Sequence, residues 1–113
     1  MDTNLHNNDL SKVAGWIGAN CVEQIETNIV KLPISIFFKQ IKEMESTYKE
    51  FPKDKKRTEK IFKLLESGKS IQPIYVEDGD KSLFVMEGRH RMVAFLWKDL
   101  EEIDVCFCKL KTA

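Results

Sequence analysis

Apolar positions along this chain recur at two spacings, and the switches between them mark out its elements. After a polar, Asn-rich leader over residues 1–8, Val13, Trp16, Ile17 and Cys21 fall on one helical face, with Asp9 or Ser11 placed to cap it. Gly15 and Gly18 weaken that helix. Residues 28–32 (NIVKL) read as a strand stopped by Pro33. Ser35 is placed to cap a helix in which Phe37, Phe38, Ile41, Met44 and Tyr48 keep near-helical spacing, and Phe51-Pro52 ends it. A further helix is predicted over 54–66. It is apolar at Ile61, Leu64 and Leu65, solvated at Lys55, Lys56, Glu59, Lys63 and Glu66, and closed by Gly68.

Beyond Gly68 the period shortens. Residues 71–76 read as a strand, Asp78-Gly79-Asp80 as a hairpin turn and 82–86 as the returning strand. A helix over 88–98 follows. The run 103–110 (IDVCFCKL) is apolar on both faces, as a strand covered on both sides requires. This order predicts a small single domain of the α/β (α+β) class, a mixed sheet of about four strands flanked by helices. Residues 1–27 supply the leader and a short helix, and residues 28–113 the body of the domain.

Composition narrows the picture without pointing to a partner. Eighteen Lys and Arg balance eighteen Asp and Glu, so net charge alone does not argue for a polyanion. The charge is unevenly spread: Lys39 to Lys69 carries ten bases against six acids, while the first 28 residues are net acidic. The N-terminus has neither the basic start nor the apolar stretch of a signal peptide. No apolar run approaches the roughly 20 residues of a membrane helix. Three cysteines, Cys21, Cys106 and Cys108, make no disulfide framework. The expectation is a soluble, reduced, cytoplasmic protein with no membrane partner.

Several stretches invite a chemical reading. ESGKS (66–70) ends like a phosphate-binding loop, but the motif's first glycine would fall at Lys63, and a helix rather than a strand leads in. A helix cap is the better account. Cys106 and Cys108 share one face of a strand, but with Cys21 they lack a fourth ligand for zinc, so packing as small apolar groups is favoured. The DGD turn lacks the spaced oxygens and closing Glu of a calcium loop. His6 lies in the leader and carries no argument.

Glu87-Gly88-Arg89-His90-Arg91 differs from these. It places the densest basic cluster where a strand hands over to a helix. Unpaired N–H groups at such a helix start favour an anion, and Gly88 lets one approach the backbone. Arg89 and Arg91 offer planar forks for phosphate oxygens, with His90 as a further donor. The competing reading pairs the arginines with Glu87 and Asp104 and buries His90.

In its context the cluster resembles the ParB/sulfiredoxin superfamily. Ile71-Gln72-Pro73-Ile74 is similar to the QPI segment of ParB proteins, Glu87 to Arg91 resembles the GxHR turn of sulfiredoxins and related small kinases, and Ala94 matches the small residue where that helix packs. The likeness spans residues 70–105, and by element order 28–110. It implies a ParB/sulfiredoxin-like fold in which Gly88, His90 and Arg91 bind nucleotide phosphates, while Arg89 joins them on the local reading of the turn alone. Lys56, Ser70 and Gln72 are then further nucleotide contacts, and Glu87 the catalytic acid and metal ligand. The implied cofactor is a nucleoside triphosphate, ATP or CTP, with Mg2+. Two departures matter. Arg89 stands where sulfiredoxins carry their catalytic cysteine and ParB proteins a glutamate, and Val93 replaces a ParB arginine. Cysteine-based sulfinate repair is thereby excluded, for want of the nucleophile.

Three functions fit. The first is nucleotide binding with phosphotransfer or hydrolysis. The second is a DNA-associated module using the basic run 53–63 (KDKKRTEKIFK), with Lys55, Lys56 and Arg57 on backbone phosphates. The third is a non-catalytic module that binds a protein partner through Phe37, Phe38 or Trp97, although these aromatics read more naturally as core.

Overall fold

A computed structural model describes residues 7–111. Its sheet has the order β1-β4-β2-β3, formed by β1 (Ile25–Pro33), β2 (Ile74–Glu77), β3 (Val85–Glu87) and β4 (Glu102–Leu110). β4 runs antiparallel to β1 and parallel to β2, and β2 pairs antiparallel with β3. The helices are α1 (Asn7–Ile17), α2 (Phe38–Glu45), α3 (Pro52–Glu66) and α4 (Arg89–Trp97). The domain is therefore α+β with a mixed four-stranded sheet, as the periodicity predicts. Among the described residues no helix is long and apolar enough to cross a membrane.

The period-two alternation of the central strands produces two cores. Ile74, Val76, Ile103 and Val105 point to one face, where they meet Phe37, Ile41, Met92, Val93 and Phe95. Tyr75, Cys106 and Cys108 point to the other, against Leu10, Val13 and Ala14 of α1. Both faces of β4 are thus covered. The buried thiols of Cys106 and Cys108 lie 3.8 Å apart, and the hydrogen bond between them lowers Cys108 from its ordinary value. Cys21 is exposed and separate.

Element boundaries shift where side chains outcompete the backbone ladder. The first helix is already formed at Asn7, inside the expected leader, so Asp9 and Ser11 lie within it rather than capping it; His6 and residues 1–5 lie outside the described residues. β1 begins at Ile25, three residues early, because β4 is long enough to pair with it as far as Leu110. The helix expected from Ser35 opens as a 3-10 turn over Ile34–Phe37 and becomes α-helical only at Phe38. It stops at Glu45, short of Phe51, because the Ser46 and Thr47 hydroxyls donate to the carbonyls of Glu43 and Met44 and favour tight turns. α3 starts at Pro52, which needs no N–H partner at a first helical position. β2 starts at Ile74, not 71, since Pro73 has no N–H to give the ladder. β3 is reduced to Val85–Glu87 because Asp80 takes the strand's start. Its carboxylate accepts from Ser82 N–H, Ser82 Oγ and Phe84 N–H, and Leu83 turns to φ 54°.

Gln40 closes the exposed side of β3. Val85 N–H donates to its Oε1 at 3.0 Å, and its Nε2 donates to the Val85 carbonyl at 3.3 Å. Phe37 is buried, Trp97 packs edge-on against Tyr48 and Phe62, and Phe38 remains exposed.

One buried polar pair ties α3 to the core. Thr58 Oγ1 donates to the Asp54 carbonyl at 3.0 Å and accepts from the Tyr48 hydroxyl at 2.7 Å. Burial pushes the Tyr48 phenol above its ordinary value. Thr58→Val should cost about 1–3 kcal/mol in denaturant unfolding, because it strands the Tyr48 hydroxyl. The double variant Thr58→Val/Tyr48→Phe should recover most of that loss.

Candidate anion-binding site

The passage from β3 to α4 turns on Gly88, the N-cap, at φ 94° and ψ 24°. A side chain there would strain this left-handed conformation, and its Cβ would stand 3.2 Å from the Arg91 guanidinium. Met92 N–H makes the first helical bond, to the Gly88 carbonyl at 2.9 Å. The preceding N–H groups of Arg89, His90 and Arg91 have no acceptor within the helix, and no side chain caps them. That end of α4 therefore carries partial positive charge toward solvent.

The four side chains of the turn take distinct roles. Arg91 folds back beneath the turn, where Nη1 donates to Asp9 Oδ2 and to the Pro73 carbonyl, both at 3.0 Å. Its guanidinium also lies 5.8 Å from the centre of the Tyr75 ring. It binds α1, β2 and α4 together and is largely buried. His90 Nε2–H donates to Asp54 Oδ1 at 3.1 Å, across to the first turn of α3. Glu87 Oε1 accepts from Gly88 N–H at 3.3 Å, while Oε2 faces Lys12 Nζ at 3.4 Å. Arg89 is exposed, and among the described residues no ion pair engages it.

Around this turn α1, α3 and α4 enclose a cleft of about 620 Å³. Lys12, Arg57, Lys60, Arg89 and Arg91 line it against the two acids Asp9 and Glu87, an excess of three positive charges before His90 is counted. Each acid already faces a cation of the cleft, Asp9 with Arg91 and Glu87 with Lys12. The residual field is therefore positive at the helix start.

The structure brings Glu87, Gly88, Arg89, His90 and Arg91 together, but not the outlying candidates. Lys56 is exposed and does not line the cleft. Ser70 lines a different cavity, of about 270 Å³, beside Lys69 and Asp104. Gln72 is half-buried and lines neither. Asp104 pairs with Lys31 rather than with an arginine of the turn. Lys12 and Lys60 are the cleft cations that the sequence does not single out, and Arg57, read there only as a contact of the basic run, lines the cleft as well. Arg57 precedes the apolar Ile61 by one helical turn, so it borders the packed stripe of α3, whereas Lys56 is rotated away. Among the described residues no three His, Cys, Asp or Glu side chains converge on a possible metal position.

No family model matches the chain, and no curated protein or solved structure is significantly similar to it.

Arg91 and Gly88 should behave as one structural unit. Arg91→Ala should lose on the order of 2–4 kcal/mol by leaving Asp9 and the Pro73 carbonyl without their donor. Gly88→Ala should lose about 1–2 kcal/mol from the left-handed backbone alone. Arg89→Ala should leave thermal unfolding nearly unchanged. Equal losses for Arg89 and Arg91 would contradict this division.

Proposed function

We propose that the protein binds a nucleoside triphosphate, ATP or CTP with Mg2+, with its phosphates at the EGRHR turn. The observation that carries this reading is the uncapped start of α4, which opens into a cleft with a surplus of cations. The similarity to the ParB/sulfiredoxin superfamily supports it from the sequence side. The proposal gives the turn's residues unequal parts. Arg91 is committed beneath the turn, so charge neutralisation falls to the backbone N–H groups, Arg89 and the flanking Lys12, Arg57 and Lys60. His90, held by Asp54, presents its imidazole on the cleft wall.

Phosphotransfer or hydrolysis would rest on Glu87. A triphosphate that draws Lys12 to itself releases Glu87 Oε2 to meet Mg2+ or a nucleophile's proton. Glu87 is the one side chain of the cleft that would hold Mg2+, since Asp9 is committed to Arg91, and the ion would supply charge neutralisation at the phosphates. The reading places the protein in the cytoplasm, where such nucleotides and reduced thiols occur together.

Thermal unfolding with ATP, CTP, GTP and Mg2+ tests the binding. A nucleotide at about a hundred times its dissociation constant should add roughly 2.7 kcal/mol of stability. Arg89→Ala should reduce the shift, and no shift with any nucleotide would remove the function. If turnover is found, Glu87→Gln should abolish it while binding persists. Unchanged turnover would take Glu87 out of the mechanism.

A further inference from the structure

We propose that this face binds single-stranded nucleic acid, with a phosphate at the start of α4 and bases stacked on exposed aromatic rings to either side. The inference rests on the reading that the α4 turn holds phosphate, and it extends that site from a nucleotide to a strand.

Among the described residues seven large apolar side chains are exposed, and four of them are aromatic: Trp16, Phe38, Phe51 and Phe84. Three of those four flank Arg89. That arginine lines three adjoining cavities, the basic cleft and one on each side of it. On the α1 side lies a cavity of about 500 Å³ walled by Trp16 and Met86. On the α2 side lies one of about 310 Å³ walled by Phe51, Phe84 and Met44, with His90 shared between it and the basic cleft. Scattered exposed apolar residues need no explanation, but three rings around one unpaired arginine form a pattern.

The rings also stand on fixed supports. Asp80 accepts from Phe84 N–H, and Gln40 clamps Val85 next to it, so the backbone that carries the Phe84 ring is held from both sides. Trp16 projects from α1, which Arg91 anchors through Asp9. Trp16 is 62% exposed, Phe51 53% and Phe84 47%, so each offers a ring face to solvent.

A strand uses this arrangement more fully than a mononucleotide does. One nucleotide has one base and fills a single wing. A strand whose phosphate sits at the basic cleft carries bases on both sides of it. Among the polar groups of the α2-side cavity Gln40 is spent on Val85, Thr47 on the Met44 carbonyl and Asp54 on His90, which leaves the exposed Glu43 and Arg89. Recognition there is by ring faces rather than base edges, which tolerates sequence. Duplex hides those faces, so it is left with phosphate contacts alone.

Fluorescence anisotropy with the full chain tests this, using a labelled single strand of about ten thymidines and a duplex of equal length. Inorganic tripolyphosphate serves as the probe of the phosphate site alone. The single strand should bind more tightly than the duplex and should quench tryptophan fluorescence in the unaltered protein. Trp16→Ala and Phe84→Ala should each weaken single-strand binding by at least about fivefold while tripolyphosphate binding stays the same. Arg89→Ala should weaken both, and Phe38→Ala neither. Circular dichroism of each variant confirms its fold, and the quenching readout needs no variant. Equal binding of duplex and single strand, or unchanged affinity in the Trp16 and Phe84 variants, overturns the inference. Tripolyphosphate binding without strand binding overturns it and leaves the phosphate site standing. If neither binds, both readings fall.

Discussion

The fold turns on one guanidinium. Arg91 leaves the first turn of α4, passes beneath Gly88, and meets a carboxylate from α1, a carbonyl from the start of β2 and the face of Tyr75. Each contact explains a neighbouring choice of residue. Position 88 favours glycine because its backbone is left-handed, and a Cβ there would also press to 3.2 Å from the guanidinium. Asp9 sits inside α1 rather than capping it because its carboxylate is required below the turn. Pro73 interrupts the strand pattern one residue before the ladder begins, and its carbonyl is left to accept from Arg91.

The same commitment separates structure from chemistry within five residues. An arginine largely buried between an acid and a carbonyl is a poor phosphate ligand, because withdrawing it exposes both partners as unpaired polar groups. Arg89, two residues earlier, carries no such obligation. Adjacent positions on one helical turn point in different directions, so a basic cluster that looks uniform divides into an anchor, a wall and an open charge. His90 is the wall: it is held to α3 by Asp54, whose own carbonyl is fixed by Thr58.

The parts legible in the sequence were those governed by local pattern. The two-sided apolarity of residues 103–110 marked the central strand, and the strand-to-helix turn at Gly88 was visible because its glycine and bases are contiguous. Boundaries failed where a side chain replaced a backbone partner, as Asp80 did for residues 82–84 and Ser46 and Thr47 did at the end of α2. The cleft itself was less legible. Lys12, Arg57 and Lys60 come from helices far apart in the chain, and only the packing of α1 and α3 around the turn brings them together. The family resemblance selected Lys56, whereas helical rotation places its neighbour Arg57 in the cleft.

Gln40 has a consequence for how the molecule meets copies of itself. An edge strand with free N–H and C=O groups is a template on which another chain can add, and this is a common route to aggregation. On β3 the donor and acceptor of Val85 are already matched by one amide that acts as a single-residue strand. With β3 only three residues long, that one side chain occupies much of what the edge could offer. The opposite edge, β1, is three times as long and relies on exposed charges such as Glu26 and Lys31 instead. The two borders of the sheet are thus guarded by different means: self-association is met with hydrogen-bond saturation beside the basic cleft and with charge on the far side.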